Sequence, residues 1–266
     1  MRFYIITDIE GVEGVVLPVQ TESGNPMYEK ARRLLTREVN IVVETLNNIG
    51  VEEIIVLDGH GANQAYNLVY EELTPGAKYI MGSPWPNYLT MLTSNFDGLM
   101  LIGAHAMAGT KGAVLDHTMS SRAWRCAYIN DVPVGEIGIS AFYAGSLGVP
   151  LVFVSGDDKA CLEAKNLVSG VETAITKYGL TRTSAVMLPP PTVEENIRSA
   201  LKRAVERHKD IKPLKVDGPV HFKIEFLLAE SAQRYWNKEG VTLLDPRTVV
   251  FTGKDAREAI ERWYLG

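Results

Sequence analysis

Phe3-Tyr4-Ile5-Ile6-Thr7-Asp8-Ile9-Glu10-Gly11 reads as a strand, Phe3–Thr7, that ends in two acids and a glycine. The same pattern returns further along. Glu53–Leu57 is a second strand, followed by Asp58-Gly59-His60-Gly61, and Gly98–Ile102 is a buried strand followed by Gly103-Ala104-His105-Ala106. Leu151–Val154 is another buried strand, and Lys78–Met81 a short one. Between them lie amphipathic stretches. Tyr28–Asn48 carries Ala31, Leu35, Val39, Val42 and Leu46 near helical spacing, and Lys159–Val168 follows an Asp157-Asp158 cap. Short apolar runs alternating with helices predict an α/β fold, a mostly parallel central sheet flanked by helices.

The remaining segments refine that outline. Asn67–Leu73 reads as a short helix, and Arg122–Ile129 with Val132–Val134 as a hairpin turning at Asn130-Asp131. The apolar stretch Val132–Val154 holds Glu136, several glycines and Pro150, so beyond the hairpin it reads as a buried helix (Gly135–Leu147) and a strand rather than a membrane span. Pro189-Pro190-Pro191 interrupts regular structure. It divides the expected α/β domain carrying the chemistry (1–188) from a smaller α+β subdomain (189–266). The latter holds a charged helix (Val193–His208), two β-like runs (His221–Phe226, Arg247–Phe251) and a last helix (Ala256–Trp263).

Composition excludes several function classes. Of 266 residues, 46% are hydrophobic and 22% charged, which excludes disorder, collagen and coiled coil. Lys+Arg 27 against Asp+Glu 32, without a basic run, suggests no nucleic-acid partner. Cys126 and Cys161 build no disulfide framework and default to packing. The opening run is too short and too soon charged for a secretory leader, so a cytoplasmic protein without membrane contact is expected. No GxxxxGK[ST], HExxH or GxSxG occurs.

The chemistry therefore rests on a scattered set. Asp8 and Glu10, two apart on an extended chain, face the same way where ligand crevices of α/β sheets form. A shared cation is one good reason to pair repelling carboxylates. A turn acid beside a solvated acid is the plainer alternative. His60 and His105 each read singly as loop or core histidines. Jointly that reading weakens, because both follow strands expected to end on the face of Asp8 and Glu10. Glu136 opens a helix, where the dipole alone justifies an acid, and an oxygen ligand is the functional alternative. His117, in Asp116-His117-Thr118-Met119, is either an acid/base or nucleophile, with Asp116 a conceivable orienter, or an exposed loop residue. His208 and His221 read as structural or solvated.

Two imidazoles and three carboxylates suit a pair of borderline divalent ions, zinc first, with manganese, cobalt or nickel as alternatives. Spacing does not say which carboxylate bridges the pair, and Asp8 is the first candidate. Such a pair serves a peptidase, a di-metal phosphoesterase or amidase, or a non-catalytic metal- or peptide-binding protein.

Thr7-Asp8-Ile9-Glu10-Gly11, Asp58-Gly59-His60, Gly103-Ala104-His105-Ala106 and Ile129–Gly138 (INDVPVGEIG), taken in this order, resemble the blocks of the zinc-dependent D-aminopeptidases, the dipeptide-transport-operon A proteins. Val154–Asp158 and Ile224–Phe226 are similar too, so the resemblance spans nearly the whole chain. It implies a dinuclear zinc aminopeptidase releasing N-terminal D-residues from short peptides. Asp8, Glu10, His60, His105 and Glu136 would be metal ligands, and His117 the catalytic histidine. It also implies a homo-oligomer, a decameric ring enclosing the sites. The chain has Asp116 and Thr118 where the family has serines, and Gly59 and Gly61 in place of serines around the first metal histidine.

Overall fold

The computed structural model describes residues 1–61 and 65–266. Its first sheet holds β1 (Arg2–Thr7), β2 (Glu53–Asp58), β3 (Lys78–Ile80), β4 (Gly98–Ala104), β7 (Leu151–Asp157), β8 (Glu172–Thr181) and β9 (Ser184–Met187). Their order across it is β3-β2-β1-β4-β7-β8-β9. Every pairing from β3 to β8 is parallel, and β9 closes the edge antiparallel to β8. β4 and β7 are buried at all seven positions, as expected of central strands covered on both faces.

The helices are α1 (Pro26–Ile49), α2 (Glu136–Ser146), α3 (Asp158–Leu167) and α4 (Pro190–Arg207). α1 packs on α4, α2 on α3, and β8 meets both α3 and α4. Asn25 caps α1 by accepting the Met27 N–H at 2.9 Å, and Pro26 occupies the first turn, where no N–H is needed.

The second sheet is antiparallel, in the order β11 (Val241–Asp245), β12 (Thr248–Gly253), β10 (Val220–Phe226), β5 (Trp124–Ile129) and β6 (Val132–Val134). Trp124, Phe222, Phe226 and Phe251 pack there with Trp263 of α6 (Ala256–Tyr264) and with Tyr235, just after α5 (Ala229–Gln233).

The α/β reading holds, and several local expectations shift. The second sheet takes strands from both sides of Pro189, and α4, which follows it, packs on the first sheet. The proline triplet begins α4 rather than preceding it: Pro189 is the cap residue, and the helix starts at Pro190. The helix expected over Asn67–Leu73 is a single 3-10 turn, Tyr70–Glu72. Asp58 accepts the Asn67 and Leu68 N–H groups at 2.6 and 3.0 Å, so these donors are engaged outside any helix. β8, β9, α5 and β11 had no counterpart in the sequence reading.

Candidate metal centre

Strand register brings the scattered residues to one level. Thr7 pairs with Asp58 on one side and Ile102 on the other, so β1 and β2 end level with each other and β4 runs two residues further before His105. The chain runs from β1 to β2 on one side and returns to β4 on the other, which makes the β1/β4 crevice a topological switch point. The exits close tightly. Asp8 N–H donates to the Ile102 carbonyl at 2.8 Å, and Gly11 N–H to that of Gly103 at 2.8 Å. A methyl on Gly11 would stand 2.0 Å from the Ala104 oxygen; one on Gly103, at φ +72°, 2.2 Å from that of Asp8. Only glycine permits this approach.

Two triads gather around Asp8. In the first, His60 Nδ1 lies 3.0 Å from Asp8 Oδ1 and 3.2 Å from Glu10 Oε2. In the second, His105 Nε2 lies 3.2 Å from Glu136 Oε1, and His117 Nε2 is 3.8 Å from the same oxygen. Asp8 Oδ2 reaches His105 Nε2 at 3.3 Å, so one carboxylate faces both groups. In each triad, one ligating atom per residue fits within 4.8 Å of the others. The His105 and His117 rings stack with centroids 3.9 Å apart.

The far nitrogen of each imidazole settles its orientation. His60 Nε2 meets the Thr21 carbonyl at 2.8 Å, His105 Nδ1 that of Ala106 at 2.9 Å, and His117 Nδ1 that of Leu115 at 2.9 Å. A carbonyl only accepts, so these nitrogens carry hydrogen and the other nitrogen of each ring faces the carboxylates. Asn67 braces the first triad by donating to Asp58 Oδ1 at 2.6 Å and to the His60 carbonyl at 2.9 Å. In the second, Met119 N–H donates to Glu136 Oε1 at 2.7 Å.

Burial and mutual charge set the protonation. Burial alone would raise the Glu10 carboxyl, but His60, with His117 and His105 beyond, holds it well below the carboxylate range. Glu136 is likewise lowered, its burial outweighed by His105. Burial works against charge on His60 and His105, yet Glu10 and Asp8 around the first, and Glu136 and Asp8 around the second, raise both above ordinary imidazole.

Further buried charges brace the site. Lys177 of β8 donates from Nζ to the Glu10 and Val12 carbonyls, each at 2.6 Å, and Thr176 Oγ1 donates to that of Gly11 at 2.6 Å. Burial, opposed by Asp157 and Glu38, brings the lysine down to about 8. Glu163 of α3 accepts the Met107 N–H at 2.7 Å, and burial pushes its carboxyl up to about 7.

All six sequence-derived site residues converge. Asp116 turns away from His117: it accepts from Gly109 N–H at 2.7 Å and Arg182 Nη1 at 2.6 Å. His208 is buried against the Val205 carbonyl, His221 is exposed, and neither is near the triads. Thr21, Arg122 and Lys177 escaped the sequence reading. None of the three carries a local signal, since Lys177 lies in the mixed run Thr176-Lys177-Tyr178-Gly179. Asp8, Glu10, His60, His117 and Glu136 line an open cleft of about 770 Å³, bordered by Glu22, Trp85, Arg122 and Tyr264, with His105 buried behind them.

Residues 1–264 match a family model described as D-aminopeptidase. The D-aminopeptidase of Bacillus subtilis strain 168 is 35% identical over 271 residues, 98% of this chain and 94% of that protein. A solved structure described as the Zn-dependent D-aminopeptidase DppA from Bacillus subtilis, a self-compartmentalizing protease, is similar with a TM-score of 0.93 and 32% identity. That match covers 100% of this chain and 96% of the other.

Proposed function

The chain belongs to the D-aminopeptidase family, and from that membership we propose a dinuclear zinc metallopeptidase that removes the N-terminal D-residue from short peptides. The observation that carries the reading is Asp8, whose two oxygens face different triads.

The residues fit a metal pair on their own chemistry. Three carboxylates converge with imidazole nitrogens whose opposite N–H groups are already engaged by carbonyls. Buried Glu10 Oε2 has no hydrogen-bond partner, although His60 Nδ1 lies 3.2 Å away; a cation would satisfy it. Asp8, Glu10 and His60 would hold one ion, and His105 and Glu136, with Asp8 bridging, the other. The chemistry supplied by a bound zinc pair is Lewis acidity at a carbonyl oxygen and acidification of water. Manganese, cobalt or nickel suits the same donors.

The chain's own contribution is placement and proton handling. The substrate's free amino group is a cation, and the carboxylate-rich floor attracts it. His117, its Nδ1–H fixed on Leu115, presents Nε2 to the cleft as the group that moves protons or stabilises the oxyanion as imidazolium. A homo-oligomer in the cytoplasm, a decameric ring, is the assembly we assign to this reading. The solved relative's description as self-compartmentalizing supports an enclosed assembly, and no helix among the described residues is long and apolar enough to cross a membrane.

The test pairs hydrolysis of D- and L-alanyl dipeptides with zinc content, for the wild type and His117→Ala. The expected wild type releases D-alanine. The variant keeps its zinc and loses about 10²- to 10⁴-fold in turnover, the usual range for a lost acid/base. Loss of zinc would make His117 a ligand instead, and absence of release from either dipeptide by the wild type would overturn the peptidase reading.

A further inference from the structure

We propose that Arg122 is a carboxylate-binding subsite: it takes the free C-terminal carboxylate of a short peptide, with Glu22 occupying it between substrates. The inference rests on the peptidase reading above. Among the described residues lining the cleft, three site carboxylates and Glu22 stand against one Lys or Arg side chain, Arg122. A peptide zwitterion needs the opposite polarity at its far end, and Arg122 is the group that supplies it.

Its placement follows from the two walls of the cleft. Glu22 succeeds Thr21, whose carbonyl accepts from His60 of the first triad. Arg122 lies three residues after Met119, whose N–H donates to Glu136 of the second. Arg122 Nη2 and Glu22 Oε1 meet at 2.7 Å, joining the walls with one ion pair. Three residues span at most ~10 Å, so the backbone tethers Arg122 close to the Met119 turn that meets Glu136, and its side chain lines the same cleft as Asp8, Glu10 and Glu136. The two side chains are 77% and 51% exposed. An ion pair that open is weak enough to exchange for a ligand carboxylate, which can present two oxygens to the guanidinium fork. Glu22 is thus a built-in competitor that keeps the subsite selective for a true carboxylate.

The experiment assays zinc-loaded protein with D-alanyl-glycine and D-alanyl-glycinamide, comparing wild type, Arg122→Gln and Glu22→Gln. The expected wild type has the lower KM for the free acid. Arg122→Gln lowers the acid-over-amide preference about tenfold through KM, as loss of a charge-assisted contact does, and Glu22→Gln raises it severalfold. An acid-over-amide preference equal in all three proteins would overturn the proposal. Calorimetric titration of the same two ligands into the zinc-loaded proteins gives the ratio as affinities. If neither ligand is cleaved, the peptidase reading falls, while that affinity ratio still decides for or against Arg122.

Discussion

Asp8 faces both triads, but the two are built differently. Asp8, Glu10 and His60 follow two neighbouring parallel strands, and the β1/β2 register fixes their level. From beneath, Lys177 and Thr176 pin the Glu10 turn. The second set combines a strand end (His105), a helix start (Glu136) and a long loop (His117). Leu115 and Met119, on either side of His117, adopt φ values of 51° and 58°, a left-handed conformation that costs a side-chain-bearing residue on the order of 1 kcal/mol. Arg182, from the β8–β9 turn, holds that loop through Asp116 and through its own carbonyl, which accepts the Leu115 N–H at 2.9 Å. The sheet thus fixes a set suited to keeping a cation in place. The fold accepts backbone strain to aim a single imidazole at the cleft, which suits a group that moves protons.

Removing the shared residue breaks both halves at once. Asp8→Asn keeps the shape and removes the charge that the proposed metal pair would share, so both ions and nearly all turnover should be lost. Metal analysis of the purified variant checks this. Retention of one full equivalent would mean that only one triad depends on Asp8.

A smaller effect sharpens the contrast through protons. In the ion-free protein His60 and His105 have raised pKa values, so both keep their protons above the ordinary imidazole range and must lose them to bind metal. Zinc binding at neutral pH should therefore release about two protons, one from each set, and affinity should fall as pH falls. Calorimetry in buffers of different ionisation heat measures the release. One proton would mean that a single set is protonated, and none would contradict the electrostatics of both.

The first triad was largely legible in the sequence, because it needs only strand ends followed by acids and a histidine. Parallel pairing then places such ends together. Glu136 was ambiguous. A helix-opening acid is ordinary, and its contact with His105 depends on how α2 packs. The orientation of His117 was illegible, since its braces are Arg182 and the unforeseen β8–β9 hairpin. In β8, threonine, lysine and glycine alternate with apolar residues and leave no continuous apolar run to mark a strand, and the lysine's burial is explained by distant carbonyls at Glu10 and Val12. The second sheet was hidden for a similar reason, because β5 meets β10 across about ninety residues of sequence and no local pattern announces that pairing.

The most direct test of a metal pair shared by two unlike triads is zinc titration of the ion-free protein, recording bound ions and D-alanyl dipeptide hydrolysis together. Two equivalents per chain are expected, with hydrolysis rising as the second binds. Saturation at one equivalent with full activity, or no uptake at all, would contradict the metal pair.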